Sequence, residues 1–376
     1  MGPSTESNSH GNLGAPSHDT ALCIIPPQTL WPAINRLRSL NDKAYAKWPP
    51  HINLIYPFVH PETLSDAAEI LSHHDLTGVL PLQASIVDAD AFVHSKYNTL
   101  YLKPDLKSGR SLHALSNKVR SALGWQTQPH FQPHMTVGQS EDAESDTHKF
   151  LLNKARLLAP ISWDVTQLAI MVRDSTPGAT DGLRRMKVWQ CLDLNSQTLK
   201  DENLPQDEVF AVEKNDPSQP SKAHIQLAYQ FDSASELWRS TDNTLLYLAE
   251  PTILKQLIVA SYNVLAEFCW PPDTSRTPSL VSNLLSRRAE ADILVLQEVS
   301  DHFLPFLLQS EEFRAKYPYS THGPPNQPEI GPLPSLLNIV ILSKFPMRWE
   351  YLPLQRRHKG AAVATFPTLA ATLPRA

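Results

Sequence analysis

The chain has 376 residues, 41% hydrophobic and 19% charged, with a formal net charge of −5. That length allows two or three domains, and the charge excludes a whole-chain basic field for gathering nucleic acid, so any RNA or nucleotide site must be a local groove. No apolar run approaches the ~20 residues of a membrane span, and three distant cysteines, Cys23, Cys191 and Cys269, suggest neither a disulfide framework nor a zinc site.

Residues 1–20 are rich in Ser, Gly, Asn, His and Pro and read as a disordered tail. They carry no basic start followed by an apolar stretch, so secretion is not expected and an intracellular location, cytoplasmic or nuclear, is. A strand follows over 21–26, ended by proline, then a helix over 27–47 whose Leu30, Ile34, Leu37 and Leu40 share one stripe. A strand carries His51. A second helix covers 63–73, with Pro61 and Glu62 at its start. Strands are expected over 80–91 and 99–102, then a helix over 106–123 stopped by Gly124. A strand carries His134, a charged loop spans 140–146, and a helix lies near 147–158. Segments 163–172 and 186–194 read as a closing hairpin.

Two short stretches carry the chemistry. The first is Trp48-Pro49-Pro50-His51-Ile52-Asn53-Leu54-Ile55-Tyr56, and the second is Gln132-Pro133-His134-Met135-Thr136-Val137. Side chains alternate along a strand. His51 and Asn53 therefore share one face, with Ile52 and Leu54 on the other; His134 and Thr136 likewise oppose Met135 and Val137. Each segment has a buried back and a polar front bearing one imidazole and one hydrogen-bonding group. Each histidine alone reads equally well as an ordinary half-exposed strand residue or as a functional group. Two copies of one pattern, each after a proline, point instead to a base and an acid flanking one substrate. Tyr56 could line the groove or simply end the strand as a packed aromatic. Arg173 is a phosphate-binding candidate or an ordinary strand-end arginine.

The pair resembles the two-histidine phosphoesterase superfamily, which includes the 2′-5′ RNA ligases and cyclic phosphodiesterases, with a twice-repeated His-x-(Thr/Ser)-x signature. His134-Met135-Thr136-Val137 fits it fully; His51-Ile52-Asn53-Leu54 has Asn in place of Thr or Ser. The resemblance covers about 21–195. It implies an α+β, two-lobed, pseudo-symmetric domain of small antiparallel sheets with one motif per lobe facing a central groove. It also implies catalysis by His51 and His134 without a cofactor, with Asn53 and Thr136 on the substrate phosphate.

Residues 196–251 read as a linker, to about 220, followed by an unassigned segment with a short helix around 234–239. A second unit is expected from about 252. Strands are read over 257–261 and 291–297, the latter ending on Glu298, with a helix over 281–288 and further strands over 337–342 and 361–366. The strings Ser-Tyr-Asn-Val-Leu-Ala-Glu (261–267), Asp-Ile-Leu-Val-Leu-Gln-Glu-Val (292–299) and Ile-Leu-Ser-Lys-Phe-Pro (341–346) resemble the endonuclease/exonuclease/phosphatase family. By position, Asn263 and Glu298 would match two residues of its Mg²⁺ site. The family's Gly-Asp-x-Asn and terminal Ser-Asp-His strings do not occur here. An incomplete, catalytically incompetent half of an α/β sandwich, as from a truncated gene product, is therefore expected, with an exposed sheet edge.

The leading functional expectation is a metal-independent phosphodiesterase acting on RNA or nucleotide 2′,3′-cyclic phosphates or 2′-5′ linkages. A Mg²⁺-dependent nuclease or phosphatase and a non-catalytic RNA-end or nucleotide binder stand beside it. Nothing in the sequence marks a protein partner.

Overall fold

The computed structural model describes residues 13–158, 160–174, 184–201, 223–241, 252–354 and 359–371. The chain divides into two compact units, 1–141 with 159–212, and 142–158 with 213–376. Among the described residues no helix is long and apolar enough to cross a membrane.

The first unit begins earlier than expected. Leu13 is buried, Ser17 exchanges backbone hydrogen bonds with Phe58, and Asp19 accepts from Arg173, so residues 13–20 are not part of a disordered tail; residues 1–12 lie outside the described residues. β1 (Thr20–Ile24) is buried throughout. α1 (Trp31–Asn41) has Pro32 in its first turn and buries Trp31, Ile34, Leu37 and Arg38; of the expected stripe Ile34 and Leu37 are buried, while Leu40 is half-buried and Leu30 precedes the helix. It ends at Asn41, short of the expected 47. Asp42 turns extended, accepts from Arg38 Nε at 2.9 Å and caps Ala44 N at 2.8 Å, which breaks the helix into turns. β2 (Ile52–Ile55), α2 (Leu64–His73), β3 (Gln83–Val93) and β4 (Asn98–Pro104) follow. α3 (Leu106–Ala122) is capped by Asp105, which accepts from Ser108 N, and stops before Gly124 at φ +71°. β5 is Met135–Ser140.

The segment expected as one strand over 163–172 is two. β6 (Ile161–Asp164) and β7 (Gln167–Arg173) belong to different sheets, and the chain passes between them at Val165 and Thr166. The polar residues Asp164, Thr166 and Gln167 mark the passage between the alternating β6 and the apolar run of β7. β7 makes the expected hairpin with β8 (Met186–Asp193), and β9 (Leu199–Lys200) returns against β8, so residues 195–201 are not linker. The rest of the expected linker, 202–220, lies outside the described residues.

The result is two antiparallel sheets, β2-β1-β7-β8-β9 and β5-β4-β3-β6. In each, the strand next to a histidine is an edge strand. The two edges approach within 8 Å, Cα to Cα. α1 closes against β5, where a Cβ on Gly138 would sit 3.0 Å from Asn41 Cβ, so a larger residue there would push Asn41 back by a few tenths of an ångström. Gln139 ties the same junction, accepting from Lys43 N at 2.7 Å.

In the second unit α4 (Asp146–Arg156) inserts its Lys154 ammonium, fully buried, against Asp301 and the Leu333 carbonyl. The unit does not start at 252. β10 (His224–Gln226), β11 (Tyr229–Asp232) and β12 (Leu237–Ser240) are already in its sheets. The expected helix at 234–239 is instead a hairpin turn plus β12: Asp232 accepts from Ala234 N and Ser235 Oγ, closing the turn. β13 (Thr252–Leu254) pairs parallel to β20 (Leu369–Ala371). β14 (Val259–Asn263), α5 (Thr277–Leu285), β15 (Ile293–Val299), α6 (Phe303–Gln309), α7 (Glu311–Lys316), β16 (Tyr319–Ser320) and β17 (Asn338–Ser343) build a mixed sheet, β12-β11-β16-β17-β15-β14, whose core is covered by α5–α7. β18 (Arg348–Pro353) and β19 (Gly360–Thr365) form a hairpin beside β10. β14 is an edge strand and its Val259 is 57% exposed.

Arg38 and Asp42 are both about 1% exposed and bonded to each other. Removing one partner strands the other charge in the interior. Asp42→Ala should therefore lower stability by about 3–5 kcal/mol, read by chemical denaturation; a loss under 1 kcal/mol would show that the pair does not brace this unit.

Candidate active site

Pro49 and Pro50 fix the chain as extended just ahead of β2. His51 thus stands one residue before the ladder begins, and the Pro49 carbonyl accepts from its Nδ1 at 2.8 Å. A carbonyl only accepts, so Nδ1 carries the hydrogen and Nε2 is the open nitrogen of the neutral ring. The imidazole stacks on Trp48, centroids 4.5 Å apart and planes 19° apart. Trp48 is itself held from behind, its carbonyl accepting from Arg38 Nη2 at 3.0 Å. Asn53, on the same strand face, donates from Nδ2 to His51 Nε2 at 3.1 Å. Its Oδ1 accepts from Cys23 Sγ at 3.2 Å, across the register that pairs Cys23 with Asn53. Ile52 and Leu54 are buried on the back, as the alternation requires.

The second segment repeats this construction. His134 stands one residue before β5 and donates from Nδ1 to the Gln132 carbonyl at 2.8 Å, again two residues behind. Aromatic support comes from Phe92 and Tyr101, whose centroids lie 4.9 and 5.3 Å from the imidazole at steep angles. Gln132 Nε2 donates to the Tyr101 hydroxyl at 2.8 Å, holding that ring. Met135 and Val137 are buried behind. Thr136 shares the His134 face, half-buried, and its hydroxyl has no partner among the described residues.

The structure thus brings His51, Asn53, His134 and Thr136 to the facing edges of the two sheets. His134 is close enough to act on His51 as a like charge. Burial pushes His51 down to about 4; the Pro49 carbonyl opposes the shift, Arg38 and His134 add to it, and Asp42 opposes it. Burial also pushes His134 down, against the Gln132 carbonyl.

Tyr56 is exposed at the end of β2, edge-on to Trp48 at 5.4 Å, its hydroxyl donating to the His18 carbonyl at 3.4 Å. Arg173 is engaged by the N-terminal segment: Nε donates to Asp19 Oδ1 at 2.9 Å, Nη2 to the His18 carbonyl at 3.0 Å and Nη1 to the Arg184 carbonyl at 3.1 Å. The residues that sequence reasoning missed are those that hold the rings: Cys23, Arg38, Trp48, Phe92 and Tyr101. Only Trp48, adjacent to the Pro-Pro-His string, carried a local signal.

In the second unit, parallel pairing of β14 and β15 sets Asn263 beside Gln297. A bulge after Leu296, with Glu298 at φ +58°, turns the Glu298 carboxylate towards Asn263, whose Nδ2 donates to Oε1 at 3.0 Å. Glu298 Oε2 accepts from Ala266 N, and Asn263 Oδ1 from Leu265 N. A Mg²⁺ ion wants one or two carboxylates free to bind it. This single carboxylate has both oxygens taken by N–H groups, and among the described residues no three His, Cys, Asp or Glu side chains gather to hold a metal. This one carboxylate, bonded to Asn263 and Ala266, is not by itself a Mg²⁺ site.

Residues 26–177 match the model of the 2′-5′ RNA ligase superfamily. This segment is a 2′-5′ RNA ligase superfamily domain. Both histidine strands lie inside it. The Oceanobacillus iheyensis protein OB1230, named for an inferred phosphoesterase activity, is 29% identical over 138 residues, which is 36% of this chain and 78% of that protein. Among solved structures, Escherichia coli LigT complexed with 3′-AMP is 18% identical, covering 48% of this chain and 99% of LigT with a TM-score of 0.32. Kluyveromyces marxianus Usb1 is 10% identical, covering 42% of this chain and 95% of Usb1 with a TM-score of 0.26. Both are distant likenesses.

A histidine held neutral in the fold is protonated in the unfolded chain below its ordinary value of 6.5. The unfolded state then binds more protons, so stability falls as pH drops from 6.5 towards 4. Wild-type unfolding free energy should fall by up to roughly 3 kcal/mol more than that of His51→Gln across this window. Parallel curves for the two proteins would refute the assignment of a buried neutral ring.

Proposed function

We propose that the superfamily domain is a phosphodiesterase that uses His51 and His134 as its proton-transfer pair. The substrate is an RNA end or nucleotide carrying a 2′,3′-cyclic phosphate or a 2′-5′ linkage. One observation carries this reading: two imidazoles stand just ahead of edge strands that approach within 8 Å, each tied at Nδ1 to the carbonyl two residues behind, so that Nε2 is the exchanging nitrogen of both. The phosphoesterase name of the bacterial relative supports the same reaction class.

For a cyclic phosphate, one Nε2 takes a proton from water as its oxygen bonds to phosphorus. The other Nε2 gives a proton to the ribose oxygen as the phosphorus–oxygen bond to it breaks. The Asn53 amide and the Thr136 hydroxyl donate to the non-bridging oxygens, where negative charge grows. Ligation is the same attack with a ribose 5′-hydroxyl in place of water: its proton goes to the first Nε2 as its oxygen bonds to phosphorus, and the second Nε2 protonates the departing ribose oxygen. Tyr56, exposed beside the Trp48–His51 stack, offers a face for a base, and Arg173 holds the segment that Tyr56 leans on.

A Mg²⁺-dependent reaction at Asn263 and Glu298 would rest on a single carboxylate bonded to Asn263, with no cluster of three acidic, His or Cys groups among the described residues, so no step is derived through it. We read the second unit as inactive in the chain as given.

His51→Ala and His134→Ala should each slow hydrolysis of a 2′,3′-cyclic nucleotide by about 10²–10⁴-fold, with wild-type turnover unchanged in excess chelator. Activity lost on adding chelator alone would overturn the two-histidine reading. A cyclic nucleotide that raises the melting temperature yet stays intact would mark a binder instead of an enzyme.

A further inference from the structure

The two motifs differ at one position, Asn53 against Thr136, and the structure shows what the difference does. An amide has a donor end and an acceptor end, and which way it points is set by its neighbours. Cys23 Sγ sits 3.2 Å from Asn53 Oδ1, and this thiol is buried, which pushes its titration up and keeps its hydrogen in place. A thiol hydrogen donates best to the carbonyl end. The NH₂ end must then face His51, at 3.1 Å from Nε2. On the far side of the ring, the Pro49 carbonyl demands a hydrogen on Nδ1. Two independent neighbours therefore require the same thing: Nε2 bare and accepting. Turning the amide over would need a proton on both ring nitrogens and would set the amide NH₂ against the thiol.

We propose that Cys23 and Asn53 are a positioning pair that fixes His51 as the general base, the thiol setting the amide and the amide holding Nε2 unprotonated. This rests on the phosphodiesterase reading above. His134 has the same Nδ1 tie but no donor facing its Nε2 among the described residues, so a proton shared by the two rings resides there and His134 starts as the acid. Thr136 does not impose a state, because a hydroxyl both donates and accepts. When substrate enters, the Asn53 hydrogen that covers Nε2 moves to a non-bridging phosphate oxygen. The attacking water takes its place and gives its proton to Nε2 as its oxygen bonds to phosphorus. His134 Nε2–H protonates the departing ribose oxygen.

The charged and titratable groups facing His51 are Arg38 at the end of α1, Asp42 just beyond it, Cys23 on β1 and His134 ahead of β5. Arg38 and Asp42 are bonded to each other and oppose one another at the ring.

The test is a histidine-ring NMR titration of the full chain, labelled at histidine and assigned with His51→Gln and His134→Gln. It needs no substrate. Wild type should show His51 with hydrogen on Nδ1 and a bare Nε2, and His134 taking its proton at higher pH than His51. Asn53→Asp places an acceptor against Nε2 and should raise the His51 midpoint by about 1 pH unit or more. Cys23→Val frees the amide to turn and should raise it in the same direction; Cys23→Ser, which keeps a donor, should restore the wild-type curve. The acidic limb of the rate profile with a 2′,3′-cyclic nucleotide should move up with the His51 midpoint in Asn53→Asp. A hydrogen on Nε2 in wild-type His51, or a midpoint unmoved by Cys23→Val and Asn53→Asp, overturns the proposal. Absence of turnover on any phosphodiester, with the ring titrations as expected, counts against the enzymatic reading alone.

Discussion

Each of the two imidazoles is fixed by a hydrogen bond that it donates to the carbonyl two residues behind it. The bond is local, so it forms wherever the backbone at that carbonyl is extended. Proline guarantees this: Pro50 and Pro133 force the residue before each of them out of the helical region, and that residue supplies the accepting carbonyl. The consequence is chemical. A neutral ring tied at Nδ1 can exchange a proton only at Nε2, and each ring stands one residue ahead of one of the two edge strands that approach each other. One backbone device thus sets tautomer, orientation and the exchanging atom, and the chain uses it twice.

Both rings are half-buried, and that partial loss of water favours their neutral forms. The support behind them is correspondingly rigid. Arg38 spends its guanidinium on Asp42, Asn35 and the Trp48 carbonyl, so the platform under His51 is anchored to α1. Asp42 also accepts from Gln139 Nε2 at 3.3 Å, so the α1 end reaches β5, the strand that follows His134. A buried ion pair is a weak source of net stability, since desolvation offsets most of the attraction. Its stronger effect here is geometric: it joins the supports of two rings that come from opposite sheets.

What could be read from the sequence was what strands impose locally. The alternation at 51–54 and 134–137 assigned every face correctly, because the period of two does not depend on tertiary context. The helical stripe of α1 was equally plain. The misplaced features depend on distant partners. Leu13 and Asp19 look like tail residues until Thr63 and Arg173 are known to receive them. The passage from β6 to β7 is marked only by Asp164, Thr166 and Gln167, polar residues that a single half-exposed strand could also carry. The strands at 229–240 carry little apolar signal, and their order comes from pairing with β16 and from Gln327, which bonds both the amide and the carbonyl of Trp238. Cys23 was legible only as a buried strand cysteine; its thiol matters because the register of β1 and β2 places it opposite Asn53.

The asymmetry between the motifs follows from the same geometry. A hydroxyl rotates about one bond and can serve a protonated or an unprotonated neighbour without moving its heavy atom. A carboxamide cannot: reversing its polarity means turning the whole group, and here one end is held by a buried thiol. Two strands built alike therefore need not carry interchangeable histidines. The half with threonine tolerates either charge state, whereas the half with asparagine is committed to one, and the sharing of a single proton between the rings is decided by the less tolerant partner. A departure from the repeated motif that looks in sequence like a loss is, in the folded site, what separates the two roles.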